Sequence, residues 1–226
     1  MSMTQTAEVF AAIHEDALND MLRAFFSARP RYRRYGSPTF VPATSVNETQ
    51  IGAIPFPGVP GGIQWRVQFE TPRVDLFKQT MTLPPQLTLA PGQFSLRTVV
   101  ELCMLCARRR DDRDPTGKPN DDRQPPPRPD NVVCTKLEVY GTGHLDAWTD
   151  GSGNGEVRLR VDAVELVDVS PDGLESLLEC LLRMVLDAAL AQVVLPIQAL
   201  RAGAFQLVVT NGPLIDDDRI QVFGNV

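Results

Sequence analysis

The sequence predicts an α+β fold: a long, highly curved antiparallel sheet wrapped around one long apolar helix, with an amphipathic helix at the N-terminus. Three observations predict it. Apolar and polar residues alternate over runs much longer than an average strand, some of these runs change phase partway, and a stretch of about 25 residues is apolar on nearly every side of a helix.

The first element runs from Thr6 to Ala28. Phe10, Ile13, Ala17, Leu18, Met21, Leu22 and Phe25 recur at helical spacing, Glu15, Asp16, Asn19, Asp20 and Arg23 take the other face, and Pro30 ends the helix. Six prolines between Pro30 and Pro60, with glycines among them, then permit only loops and short or edge strands.

From Ile63 the period becomes two. Ile63, Trp65, Val67 and Phe69 share one strand face; Pro72 resets the phase, so that Val74 and Leu76 continue it on the opposite parity, with a bulge and a bend between. Phe94 to Cys106 writes a second long strand on Phe94, Leu96, Val100, Leu102 and Met104. A third covers Val132 to Trp148, with Val133, Leu137, Val139, Leu145 and Ala147 on one parity and Gly141 and Gly143 marking a bend. The hairpin loop 150–155 leads into Val157, Leu159 and Val161, and a second phase shift turns Val164 and Leu166 inward.

Residues 108–130 are rich in charge and proline and almost devoid of apolar side chains. They cannot bury enough surface to offset their ordering entropy, so a mobile loop is expected inside a single domain spanning 1–226. Ser170 caps, Pro171 starts and Pro196 stops the apolar helix, whose polar residues Asp172, Ser176, Glu179, Arg183 and Asp187 form one narrow seam. Two strands, Phe205 to Thr210 and Arg219 to Phe223, close the chain around an NGPLIDDD turn.

Composition narrows the function. Hydrophobic residues make up 43% and charged residues 22% of 226, ordinary globular usage. A net charge of -6 argues against nucleic acid as the main partner, since phosphate neutralisation needs a basic face. No secretory pattern and no uninterrupted apolar span of membrane length occur, which gives a cytoplasmic expectation and reduced thiols at Cys103, Cys106, Cys134 and Cys180.

Catalytic stock is thin. His14 and His144 stand without a nucleophile elbow, phosphate loop or zinc-protease motif, so no enzyme is expected. Cys103 and Cys106 form a Cys-x-x-Cys that Cys134 could join, but they lie in strand text without a fourth ligand nearby, whereas zinc sites usually sit on tight knuckles. Asp150, Ser152 and Asn154 imitate a calcium loop, but its twelfth position is Val161 where a carboxylate is needed. No metal and no cofactor are expected. Asp216, Asp217 and Asp218 read as a solvated turn. Arg29, Arg31, Arg33 and Arg34, interleaved with Tyr32 and Tyr35, suit anionic head groups or an acidic partner, although a solvated helix end has the same composition.

The order of elements, together with EDALNDMLRAFF (Glu15 to Phe26) and FQLVVTNGPLIDDDRIQVFGNV (Phe205 to Val226), resembles the tubular lipid-binding (TULIP) superfamily, with its bactericidal/permeability-increasing, Takeout-type and SMP members. The resemblance implies a sheet rolled around a helix with an apolar tube inside. Trp65, Val67, Phe69, Phe94, Leu96 and Leu102 from strands, and Leu178, Leu182 and Val185 from the helix, would line it. The function implied is non-catalytic carriage or sensing of a lipid or other elongated apolar molecule, with possible peripheral membrane contact. The alternative is a structural module with a filled core that binds a protein partner or forms a homodimer through an exposed sheet edge.

Overall fold

The computed structural model describes residues 9–76, 82–105, 132–149, 155–167, 172–196, 208–216 and 218–225. Residues 108–130 and the loop 150–154 lie outside them, as do the capping pair Ser170 and Pro171. In chain order the elements are β1 (Val9–His14), α1 (Glu15–Ala28), a 3-10 turn (Pro30–Arg33), β2 (Arg34–Gly36), β3 (Thr49–Gln50), β4 (Gln64–Phe69), β5 (Arg73–Leu76) and β6 (Gln93–Leu105). They continue with β7 (Val132–Thr149), β8 (Gly155–Leu166), α2 (Asp172–Leu190), β9 (Val194–Pro196), β10 (Val208–Asp216) and β11 (Arg219–Asn225). The fold is mixed α+β. Among the described residues one sheet has the order β1-β11-β10, and the other the order β3-β2-β4-β6-β7-β8-β9 with β5 also on β6.

The chain groups into two compact units, the first drawn from 1–28, 71–99 and 138–226 and the second from 29–70 and 100–137. In the second, β4 pairs antiparallel with the Val100–Leu105 half of β6, and Trp65, Val67 and Phe69 are buried as the alternation requires. β2 continues on the far side of β4, where Tyr35 stacks on Phe69. In the first unit, β5 pairs with the Phe94–Arg97 half of β6. Between the two registers three residues (70–72) face two (98 and 99), and that one extra residue is the phase change that Pro72 announces.

The β7–β8 ladder slips between Thr142 and Gly143, where Asp162 is the extra residue on β8. Val157, Leu159 and Val161 before it, and Val164 and Leu166 after it, are therefore all buried. Gly141 and Gly143 do more than mark a bend: a Cβ on Gly141 would come within 3.2 Å of Leu96 Cγ, and one on Gly143 within 2.5 Å of Phe94 Cζ. Both glycines make room for neighbouring β6 side chains.

Several expectations are corrected. Residues 9–14 form β1, paired with β11 from Val9↔Gly224 to His14↔Arg219, so α1 is only 14 residues long. The text VFAAIH fits a strand face as well as a helix face, and an available partner strand decides between them. The NGPLID segment belongs to β10, which accommodates Gly212 and Pro213 through register shifts and stays paired with β11 up to Asp216↔Arg219. Val133, expected to face inward, is 72% exposed.

The long, uniformly apolar helix is also not found. α2 stops at Leu190, and Val194–Pro196 form β9 against β8. Among its described side chains Leu178, Leu181, Leu182, Val185, Leu186, Ala189 and Leu190 are buried, whereas Ser176, Cys180, Met184 and Ala188 form an exposed stripe at four-residue spacing. Three of those four are weakly apolar, which is why the sequence reads as apolar on all sides.

Candidate functional site

Two polar residues of α1 and three of α2 are engaged with strand backbone in the first unit. On α1, the Asn19 side-chain amide donates to Val74 O and accepts from Val74 N, each at 2.8 Å, and a Glu15 carboxylate oxygen accepts from Leu76 N at 2.9 Å. These groups take the place of a neighbouring strand on β5. The α2 seam does the same for β8 beyond the three residues that pair with β9. Glu179 accepts from Leu166 N at 3.3 Å, Arg183 donates to Asp162 O at 3.1 Å, and Asp187 accepts from Val161 N at 3.0 Å. Asp187 also receives both Arg160 Nε at 2.9 Å and Nη2 at 2.8 Å, a bidentate charge-assisted pair. An open strand edge is a template for unwanted pairing, and here two helices close it with side chains. Periodicity shows such residues only as a polar face.

Asp187→Ala is therefore expected to cost about 2 kcal/mol, since it removes the bidentate pair with Arg160 and the acceptor of the Val161 amide together. Asp187→Asn should lose less, because its carbonyl oxygen still accepts from Val161. Urea unfolding of the two variants checks the order.

Glu165, Glu175 and Glu179 place carboxylate oxygens within 4.8 Å of one another. Burial first, and then the charges of Glu179 and Glu175, hold the Glu165 pKa above 4.5. A raised folded-state pKa means that the ionised group opposes folding; the penalty is absent below pH 4.5 and accrues as pH rises through the folded value. Glu165→Gln should thus stabilise the protein at neutral pH by about 0.3 kcal/mol, the scale of one like-charge pair, and lose that advantage in acid. Thermal unfolding across the pH range is the measurement.

The nine candidate lining residues fall into two sets. Trp65, Val67, Phe69 and Leu102 lie in the second unit, with Val67 opposite Leu102. Phe94, Leu96, Leu178, Leu182 and Val185 lie in the first. Every one of them is at most 4% exposed. Of the arginines, Arg29 and Arg31 are exposed, Arg33 and Arg34 half-buried, and the Arg31 guanidinium lies 4.7 Å from the Tyr32 ring centroid.

The thiol expectation needs correction. Cys103 on β6 and Cys134 on β7 form a disulfide across adjacent strands, a pairing that text separated by 31 residues did not suggest. Cys180 is free and exposed. Glu101 shares a cluster with the two bonded sulfurs, which are no longer available as thiolates. His144 Nδ1 lies 2.7 Å from Asp162 Oδ1, and His14 Nδ1 accepts from Asp16 N. Asp218 takes a left-handed conformation in the last turn, where its carbonyl accepts from Glu15 N.

These features define a class: an α+β protein of long antiparallel strands whose helices seal strand edges over buried apolar faces. No helix among the described residues is long and apolar enough to cross a membrane. No family model matches the chain, and no curated protein matches it. Among solved structures, the chain is similar to one titled a crystal structure of lipopolysaccharide binding protein, at 14% identity and a TM-score of 0.28. That similarity covers 100% of this chain and 41% of the other, so the chain spans less than half of that protein's length.

Proposed function

We propose that the protein is a non-catalytic binder of a lipid or other elongated apolar molecule. The observation that supports it is the pair of long strands β6 and β8, 13 and 12 residues, whose buried side chains are mainly apolar, Ser95 and Thr98 on β6 being the polar ones. Strands longer than an ordinary packed sheet requires fit an elongated guest better than a compact one. The tubular lipid-binding resemblance of the sequence agrees with this reading. Native mass spectrometry of the purified protein, followed by organic extraction, tests it: a reproducible adduct that extracts as phospholipid or fatty acid supports the carrier, and a bare mass after incubation with mixed lipids rejects it.

A second reading has its own support. Side chains at most 4% exposed are what a filled core produces, which fits a structural module acting on a protein partner or a second copy. Concentration-dependent mass would favour it. The cytoplasmic placement is likewise a proposal, and the Cys103–Cys134 disulfide bears against it because disulfides are rare in that reducing compartment, so the redox state of this pair in the cell tests it. Alkylating whole cells before lysis, then mapping the modified cysteines, reads that state directly.

A further inference from the structure

Between Glu48 and Arg66 no residue carries a charge, and the centre of that stretch is an ordered apolar projection. Ile54 and Ile63 close its base by two hydrogen bonds, Ile54 N to Ile63 O at 3.0 Å and Ile63 N to Ile54 O at 2.8 Å. Within the loop, Val59 N donates to Phe56 O and Gly62 N to Val59 O, at 3.1 and 3.0 Å. Both turns carry Pro then Gly at their centres, with Gly58 and Gly61 each at φ 80°, the type II arrangement. Gly62 follows at φ 71°, where a Cβ would lie 2.4 Å from Ile54 O. The Trp65 indole donates to Gly52 O at 3.2 Å just below the base.

Successive Pro-Gly turns limit the loop's freedom before any partner arrives. They nevertheless hold Phe56 outward, 51% exposed, with Pro55, Pro57 and Pro60 exposed around it. A folded chain that stiffens a loop and leaves its one aromatic side chain in water presents an anchor.

Charge points to the partner. Residues 29–70 contain Arg29, Arg31, Arg33, Arg34 and Arg66 against Glu48 and Glu70, five minus two, or +3, in a chain whose net charge is -6. A loop tip with one large side chain is too small for a stable protein interface, which needs roughly 800 Å² per partner. A bilayer interface, by contrast, takes a single aromatic side chain together with dispersed basic residues.

We propose that the loop around Phe56 docks the protein on an anionic phospholipid surface, with Phe56 entering the head-group boundary and the arginines of 29–70 supplying attraction. The proposal deepens the lipid-binding reading by naming the surface from which a ligand would be exchanged.

Co-sedimentation with vesicles of phosphatidylcholine, with and without phosphatidylserine, tests it. The native protein should sediment only with the anionic vesicles, and less at high salt. Phe56→Ala should weaken this roughly tenfold, the effect of withdrawing most of one aromatic side chain from an apolar phase. Met184→Ala, at a residue 50% exposed on α2, should leave it unchanged. Phe56→Trp should bind, and its emission should shift to the blue on adding anionic vesicles, a shift the native protein, whose Trp65 is already buried, should not share. Absence of binding to anionic vesicles, equal binding by Phe56→Ala, an equal loss in Met184→Ala, or an added tryptophan that stays in water on sedimented protein would each overturn the docking. A lipid adduct retained in native mass spectrometry alongside such a failure would sink the docking and leave the carrier reading intact.

Discussion

Trp65→Ala is expected to lower the unfolding free energy by about 4 kcal/mol, the range for truncating a large aromatic residue in a packed core. Trp65 is 1% exposed, its indole N–H donates to Gly52 O, and its backbone N–H donates to Ser37 Oγ at 2.9 Å. Its carbonyl in turn accepts from Ser37 N at 2.9 Å, so that one residue ties β4 to the segments after β2 and β3. Trp65→Phe keeps most of the ring volume and gives up the bond to Gly52, a loss of about 1 kcal/mol. Urea unfolding of both variants separates packing from hydrogen bonding. The experiment also bears on function: if Trp65 lined an open tube, truncation would enlarge an existing space, and the loss would fall well under about 2 kcal/mol. A full loss argues that this part of the interior is filled.

Gly143→Ala is expected to cost about 3 kcal/mol or more. The added Cβ would lie 2.1 Å from the Arg160 carbonyl oxygen and 2.5 and 2.9 Å from two atoms of the Phe94 ring. An aromatic ring can shift, but the carbonyl belongs to β8 opposite the slip in the β7–β8 register, and moving it disturbs that ladder. Adding Phe94→Leu should therefore recover only part of the loss. Gly52→Ala, where nothing lies within 4 Å of the new Cβ, should stay within about 0.5 kcal/mol of the parent protein. Wild-type stability in Gly143→Ala would contradict the close approach of β6, β7 and β8 at that residue.

Much of the strand framework was legible in the sequence. The alternation through Trp65, Val67 and Phe69, the change of phase at Pro72, the thirteen-residue strand β6 and the inward turn of Val164 and Leu166 all hold. They hold because a strand with one buried face must repeat every second residue, and an extra residue must reverse that repeat. The candidate lining residues were legible as buried, and in the same terms as any core; burial and ligand contact leave one signature in a sequence.

Other features were set by partners remote in the chain. Val9–His14 became a strand because β11 lies alongside it, although its residues also satisfy a helical period. Asn19, Glu179 and Asp187 showed in the sequence only as members of a polar face and a polar seam, and they close the edges of β5 and β8 because those edges offer unpaired amides and carbonyls. Cys103 found Cys134 only once β6 and β7 were neighbours. By itself, then, the sequence determined which residues are apolar, where the strand repeat changes phase, and that the chain combines long strands with α-helices. Tertiary structure decided which polar groups meet, which face of α2 is buried and where each helix ends, because hydrogen bonds and packing join residues that no local period relates.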